Sequence, residues 1–181
     1  AITSLSMVST GTTANESILT GISSATTLGT SQAYCVLMGN STPTGTEGNR
    51  LELGCTGGTL KKFYVAISAT PGAGNTRILS VRNEASNVIS VTISNPDTTG
   101  NNTADTNAVL AGNDLTFGSA VTGTPAAASA RWGVVFAATT DGESMLLGSG
   151  AGSNFSNSAT NFKNLAGADA PNATETNVIQ I

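Results

Sequence analysis

The sequence predicts an all-β protein, a jelly-roll-like antiparallel β-sandwich of about eight to ten strands with an extended N-terminal arm. Short runs in which apolar and polar residues alternate recur along the chain, and this period of two is that of a half-buried strand. Turn residues separate the runs at intervals of about 8–15 residues, and no segment has a persuasive helical period. The 181 residues are enough for one domain with a full core.

The stretch 60–94 predicts this architecture most directly. It contains three alternating runs divided by turn residues at 70–75 (TPGAGN) and 83–87 (NEASN). Pro fixes one φ in the first turn, and each Gly permits a positive φ. Three consecutive antiparallel strands are therefore expected here, as the nucleus of the sandwich. The residues expected to face its core are Phe63, Val65, Ile67, Leu79, Val81, Ile89, Val91 and Ile93.

Residues 1–30 differ from the rest and predict an N-terminal arm or linker, which leaves 31–181 as the sandwich. The first eight residues suit a short strand, and a Thr- and Gly-rich linker follows at 9–16. Such an arm is a possible donor strand that completes the sandwich of a neighbouring subunit. The alternative is that 1–30 forms the first strands of the same sandwich. The arm residues expected to contact the neighbour are Ile2, Leu5, Met7 and Val8.

Further strands are predicted on both sides of the nucleus. In the run 51–55, the apolar residues Leu51, Leu53 and Cys55 are expected to share one face, opposite Glu52. The polar stretch at 95–107 and the segment at 118–130 are predicted to be long loops, which are more typical of jelly-roll crossovers than of tight hairpins. The other strands are expected at 33–38, 109–110, 115–117, 131–136, 145–147 and 177–181.

The composition favours an extracellular protein. Charged residues make up 10% of the chain, against roughly 25% in ordinary globular proteins, and Ser, Thr, Asn, Gly and Ala replace them. The net charge is −4 and no basic cluster exceeds Lys61-Lys62, so nucleic acid is not an expected partner. No window approaches the ~18 apolar residues of a membrane span. Because the chain begins at Ala1, we expect that a signal peptide has been removed.

The residues that usually carry chemistry are scarce. The absence of histidine removes the commonest base and zinc ligand, and nothing places any two of the eleven Asp and Glu residues together. The run 71–76 (PGAGNT) superficially resembles a phosphate loop, but it lacks the lysine and a strand follows it, so a turn is expected. We therefore expect neither an enzyme nor a cofactor or metal. A calcium ion bound by Asp97, Asn101 and Asp105 stays open as an alternative to a plain solvated loop.

Two kinds of covalent feature are expected. Cys35 and Cys55 are the only cysteines, and in an oxidising compartment they are predicted to form a disulfide; two buried thiols are the alternative. Five glycosylation sequons fall in segments interpreted as loop or linker, although a chain so rich in Ser, Thr and Asn contains about that number by chance. The candidate sites are Asn15, Asn40, Asn101, Asn154 and Asn172.

Three runs carry a resemblance to known domains: FYVAISATPGAGNTRILSVRNEASNVISVTIS, VLAGNDLTF and ARWGVVF. This pattern, which spans about 60–136, resembles the jelly-roll sandwiches of phage-associated surface proteins and prokaryotic extracellular filament subunits. The resemblance implies a domain on a virion surface or in an extracellular fibre. In filament subunits of this kind, which the region 1–30 also fits, an N-terminal strand of one protomer completes the sandwich of the next.

Together these features predict a secreted structural subunit that self-assembles into a homopolymeric extracellular filament by β-strand addition of its arm. The alternatives are a phage or virus surface protein, such as a decoration or fibre-head domain, and a carbohydrate-binding module. The last would need exposed aromatic rings, for which Tyr34 and Tyr64 are the candidates. The expected location is extracellular: secreted, on a cell surface or on a virion.

Overall fold

The computed structural model of the chain describes residues 15–23, 27–145, 147–150 and 167–169. In this part the chain forms twelve β-strands and one short 3₁₀ helix, Glu47–Asn49. The strands are β1 (Glu16–Ser23), β2 (Ala33–Cys35), β3 (Gly39–Ser41), β4 (Glu52–Leu53), β5 (Gly58–Ile67), β6 (Thr76–Asn83), β7 (Ser86–Ser94), β8 (Thr99–Val109), β9 (Asp114–Thr122), β10 (Ala130–Ala138), β11 (Gly148–Gly150) and β12 (Gly167–Asp169).

Ten of these strands form two sheets. Sheet I has the order β3-β1-β10-β5-β8, and sheet II has the order β2-β9-β6-β7, with β4 also paired to β9. Neighbouring strands in both sheets are antiparallel, except that β1 and β3 are parallel. The short strands β11 and β12 form a separate parallel pair. The prediction of an all-β, predominantly antiparallel sandwich is confirmed.

The core is filled by residues that alternate inward along the strands. Phe117 of β9 stacks on Trp132 of β10, and Phe63 of β5 meets the same Phe117 ring with centroids 6.4 Å apart. The indole N–H of Trp132 donates a hydrogen bond of 2.7 Å to the carbonyl oxygen of Leu37, so its polar atom is satisfied inside the core. All eight core residues predicted in the stretch 60–94 are buried.

The prediction for the stretch 60–94 is correct in its strands but wrong in one pairing. β6 and β7 form the expected hairpin, and the run 70–75 is the expected turn, with positive φ at Gly72 and Gly74. β5, however, does not pair with β6. Residues 68–75 carry the chain to the other sheet, so β5 pairs with β8 and β10, and β6 pairs with β7 and β9. The apolar faces of β5 and β6 therefore meet across the core, where both are buried.

The N-terminal boundary needs correction. The segment 16–23, predicted as part of an arm, is strand β1 inside sheet I, where it pairs with β10 from Glu16 to Ile22. Leu19 is fully buried because it points into the core, and this burial holds the strand in its own domain. The proposed arm residues Ile2, Leu5, Met7 and Val8 lie outside the described residues.

The polar stretch predicted as a loop at 95–107 is largely strand β8. It pairs with β5 and forms an edge of sheet I. An edge strand at the rim of a sandwich has little core to face, so it shows no apolar alternation and the period-2 signal is missing. Asn102 reaches across this rim, where its amide nitrogen donates to the carbonyl oxygen of Ser90 on β7 at 3.0 Å.

In the run 51–55 the predicted faces are reversed. Glu52 is fully buried, whereas Leu53 is 61% exposed and Cys55 is exposed. The Glu52 carboxylate has a donor inside the protein, because its Oε2 accepts a hydrogen bond of 2.8 Å from the backbone N–H of Met38. A shift of one residue moves every side chain of a strand to the other face. Leu53 and Cys55 consequently point away from the core.

The remaining strands differ from prediction mainly in length. β9 and β10 confirm the strands expected at 115–117 and 131–136 and are longer than predicted, whereas β2 covers only part of 33–38. Met145 and Leu147, the ends of the strand expected at 145–147, are not in a strand, and β11 begins directly after Leu147. The strand expected at 177–181 lies outside the described residues.

Candidate functional site

In the part of the chain that the structure describes, no three acidic or cysteine side chains gather in a group that could hold a metal ion. That part also contains no helix with the length and apolar character of a membrane span. In the stretch 95–107, Asn101 lies on β8, and the Asp105 carboxylate accepts a hydrogen bond from the Asn102 amide at 2.7 Å. The features that remain are surfaces and buried polar groups.

The outer face of sheet I carries exposed apolar side chains, among them Ile18, Ile22 and Tyr64. Strand register places the residues of this face in four rows, each crossing β1, β10, β5 and β8 in that order. The rows are Glu16, Ala137, Thr59 and Ala108; Ile18, Val135, Lys61 and Thr106; Thr20, Gly133, Tyr64 and Asn101; and Ile22, Arg131, Ala66 and Thr99.

A depression of about 400 Å³ lies over the last two rows and is called the Gly133 depression below. It forms because Gly133 adds no side chain between Thr20 and Tyr64 on the flanking strands. A Cβ atom built on Gly133 would meet only the Thr20 methyl carbon, at 3.7 Å, so the space above it is open. A smaller hollow of about 60 Å³ extends it past Ile22. The Tyr64 ring, 52% exposed, forms one wall.

The charges near the depression are positive and only partly neutralised. Lys61 pairs with Glu16 at 2.6 Å, and this hydrogen bond holds the pKa of the Glu16 carboxyl below its usual value. The ion pairs among the described residues are this one and Arg82–Glu47. Arg131, which lines the depression, therefore has no carboxylate partner in that part of the chain.

A second exposed apolar patch lies at one end of the sandwich. Leu53 is 61% exposed and Leu110 is 69% exposed. The segments that carry them are joined, because Gly54 exchanges two backbone hydrogen bonds with the 110–113 turn. Leu53 on β4 lies directly across from Asp114 on β9. The backbone N–H of Asp114 donates a hydrogen bond of 2.6 Å to the Glu84 carboxylate. This acidic, apolar surface is called the leucine end.

The outer face of sheet II carries a polar network. Arg82 donates through Nε to Glu47 at 2.6 Å, and its guanidinium carbon lies 5.3 Å from the centre of the Tyr34 ring. The arginine can extend across the sheet because Gly118 has no side chain; a Cβ there would lie 2.6 Å from Arg82 Cδ. Burial alone raises the pKa of Glu47, but the hydrogen bonds from Arg82 and Thr116 hold it below its usual value. Tyr34 is thus engaged, which leaves Tyr64 as the exposed ring.

Two buried polar groups tie loops to the core. The Arg77 Nη2 donates to the carbonyl oxygens of Leu28 at 2.9 Å and Ala126 at 2.6 Å, which joins two loops at the end of the sandwich opposite the leucine end. Its desolvation lowers the pKa of the guanidinium. Burial raises the pKa of the Glu52 carboxyl to about 8, against the opposing effect of the backbone hydrogen bond from Met38. These groups explain local structure and lie away from the outer face of sheet I.

The predicted disulfide is not present in the structure, where Cys35 and Cys55 are both free. Cys35 is buried on β2, and its Sγ lies 3.9 Å from the carbonyl oxygen of Ser41. Cys55 follows β4 on the side turned outward by the burial of Glu52. The two side chains consequently point into different environments. Burial raises the pKa of the Cys35 thiol to about 11.

Three of the five sequon asparagines lie in the described residues, and two of them are on strands rather than in loops. Asn40 is exposed on β3 and Asn101 is exposed on β8, which are the two edges of sheet I. Asn15 has a positive φ, and its side-chain oxygen accepts a hydrogen bond from the Gly142 N–H at 2.8 Å. Asn154 and Asn172 lie outside the described residues.

Comparison of the chain with protein-family models, with curated proteins and with solved structures gives no match in any of the three. The class that the coordinates define is accordingly the fold alone, a two-sheet antiparallel β-sandwich with an open depression on one outer face.

Sequence reasoning missed the Gly133 depression and the leucine end. A signal for the depression is present in the sequence: Ile18, Thr20 and Ile22 alternate with Leu19, so β1 has an apolar outer face as well as a buried inner one. The leucine end has no such signal. The segments of Leu53 and Leu110 are joined only in the fold, where Gly54 hydrogen-bonds to the 110–113 turn.

Proposed function

We propose that this protein is a secreted structural subunit that self-assembles into a homopolymeric extracellular filament by β-strand addition of its N-terminal arm. The observation that carries the proposal is strand β8. It is an edge strand of eleven residues, Thr99–Val109, and no strand among the described residues pairs with its outer side. Such an edge presents a row of backbone N–H and C=O groups that an incoming strand can bind.

The strand order supports a jelly roll as the finer description of the sandwich. β1, β10, β5 and β8 are neighbours in sheet I, and β2, β9, β6 and β7 are neighbours in sheet II. Among these eight strands, consecutive ones lie in opposite sheets except β6 and β7, which form a hairpin in sheet II, and this is the order expected of a jelly roll. β7 and β8 are edge strands of sheets II and I, and an added strand would pair along such an edge.

The dimensions suit an arm of the expected length. Eight extended residues reach roughly 26 Å, and the β8 edge is about as long, because it pairs with residues 58–66 of β5. Burial of Leu5 and Met7 of the arm in a neighbour would contribute a few kcal/mol from apolar area, at about 25 cal/mol per Å². The low charge of the chain, 10% of its residues, gives little electrostatic repulsion between packed copies. Glycans on exposed asparagines would keep such a surface soluble before assembly.

Deletion of residues 1–10 tests the mechanism. The truncated protein should stay folded, because β1 begins at Glu16, but it should form no filaments in negative-stain images. Leu5→Asp should weaken assembly, while Ser4→Asp, which adds the same charge on the opposite face of an extended arm, should have a smaller effect. Native-looking filaments from the truncated protein would contradict strand addition by the arm. Closed trimeric rings would favour a phage or virus surface protein instead.

A carbohydrate-binding module is the second candidate, and the Gly133 depression favours it. An exposed Tyr64 beside the Arg131 guanidinium and the Thr20 hydroxyl combines a stacking surface with hydrogen-bonding groups. A glycan array followed by calorimetry decides this candidate. Binding that is lost in Tyr64→Ala and kept in Tyr34→Ala would support it, and the absence of binding across the array would remove it.

A further inference from the structure

The Gly133 depression and the leucine end lie far apart on the same subunit. β8 passes the depression at Asn101 and reaches the leucine end at Val109; their β5 partners, Tyr64 and Gly58, are six residues apart, which is roughly 20 Å along a strand. A subunit therefore cannot place Leu53 and Leu110 in its own depression. Any contact between these two surfaces must involve a second copy of the chain.

The two surfaces are complementary in chemistry. The depression is concave and mostly apolar, and Arg131, which lines it, has no carboxylate partner among the described residues. The leucine end presents two exposed leucines, and Leu53 lies across the sheet from Asp114, whose backbone N–H donates to the Glu84 carboxylate. Apolar side chains in a hollow, ringed by opposite charges, combine burial with electrostatic orientation. A volume of about 400 Å³ suits a few side chains rather than a folded domain.

We propose that the leucine end of one subunit docks in the Gly133 depression of the next copy. This contact rests on the proposed homopolymeric function and adds to it an interface that the arm does not supply. Because the two surfaces are different, the contact is heterologous. A heterologous contact repeats from head to tail and gives an open polymer unless its rotation closes a ring.

Filling the depression is the first test. Gly133 lacks a positive φ and has open space above it, so Gly133→Leu should fold normally while occupying the hollow. The matched control is Gly45→Leu, which places the same side chain at an exposed position with nothing within 4 Å. We expect Gly133→Leu to raise the critical concentration for assembly at least tenfold and Gly45→Leu to leave it unchanged. Equal assembly by the two variants would overturn the proposal.

Charge exchange tests the orientation of the contact. Arg131→Glu and Asp114→Lys should each weaken assembly, because each places like charges opposite one another. The double variant restores an opposite pair and should regain most of the lost assembly, measured by sedimentation at low and high salt. A double variant that is worse than either single one would show that these residues do not face each other across the interface.

A cross-link gives a readout that does not depend on filament formation. In a Cys55→Ser background, Thr20→Cys lines the depression and Leu110→Cys marks the leucine end. The double variant should oxidise to a ladder of multimers on a non-reducing gel, whereas each single variant should stop at a dimer.

A ladder that persists after deletion of residues 1–10 supports the contact even if the arm mechanism fails. Loss of the ladder with intact arm-dependent filaments overturns the contact alone. Competition by a sugar would assign the depression to a carbohydrate instead.

Discussion

Trp132 of β10 and Phe117 of β9 stack face to face, with ring centroids 3.6 Å apart and planes only 6° from parallel. This pair joins sheet I to sheet II through the core. The edge of the indole lies against Gly21 on β1, the strand partner of Trp132, and a Cβ atom at Gly21 would lie 2.5 Å from indole atoms. The stack therefore depends on a missing side chain on the neighbouring strand.

The first prediction concerns this contact. Gly21→Ala should destabilise the protein by about 1–3 kcal/mol, because the added methyl group overpacks the Trp132 ring. Gly29→Ala, a position with nothing within 4 Å, should change the free energy of unfolding by less than about 0.5 kcal/mol. Urea unfolding followed by the fluorescence of the single tryptophan measures both. Equal stabilities would show that the indole does not rest on β1.

The second prediction is a pH dependence that originates at Glu52. Its pKa is raised to about 8 in the folded protein from an ordinary value of 4.5, because burial favours the neutral carboxyl. The folded state thus holds a proton that the unfolded state releases. The contribution of Glu52 to stability is therefore greatest below pH 4.5 and falls as the pH rises toward 8. Glu52→Gln should abolish this loss and be more stable than the natural protein at pH 9.

Glu47 serves as a control, because its pKa is shifted in the opposite direction from that of Glu52. Its pKa is lowered by the hydrogen bonds from Arg82 and Thr116, which outweigh its burial, so its contribution is present above pH 4.5 and is lost as the pH falls. Glu47→Gln should therefore reduce stability most at neutral pH. Parallel stability curves for the natural protein and Glu52→Gln between pH 5 and 8 would contradict the assignment.

The third prediction concerns the thiols. Intact-mass analysis after alkylation without reductant should find two modified cysteines. Exposed Cys55 should react quickly, whereas Cys35 should react only on unfolding, because it is buried and its pKa is raised to about 11. A protein with no reactive thiol even in denaturant would show that the two are oxidised.

The fourth prediction links glycosylation to assembly. Asn101 is the direct cross-strand neighbour of Tyr64, so a glycan on Asn101 would cover the Gly133 depression. Subunits that carry it should be excluded from polymers and enriched in the soluble fraction. Asn40 lies at the opposite edge of sheet I, beyond β1, and should be equally occupied in both fractions. Glycopeptide analysis of the two fractions tests this, and equal occupancy of Asn101 would contradict it.

Local alternation of apolar and polar residues was sufficient to predict the strands that have one buried and one exposed face. Phe63, Val65 and Ile67 alternate with polar residues, so their burial follows from the period of a strand, whatever it pairs with. The same alternation identified the hairpin of β6 and β7, where a turn of two residues fixes the partner. Composition likewise showed that the chain has no histidine to act as a base or a zinc ligand, and this does not depend on the fold.

Strand pairing, the inward turn of Glu52 and the Gly133 depression depend on neighbours across a sheet, so they are visible only in the tertiary structure. β8 has no apolar alternation because it lies at an edge, and β5 joins sheet I although the next strand in the chain lies in sheet II. Glu52 turns inward because the backbone of Met38 offers it a donor. The Gly133 depression exists because register sets a glycine between Thr20 and Tyr64, residues that lie more than forty positions apart in the chain. Such contacts arise from long-range pairing, which local periodicity does not encode.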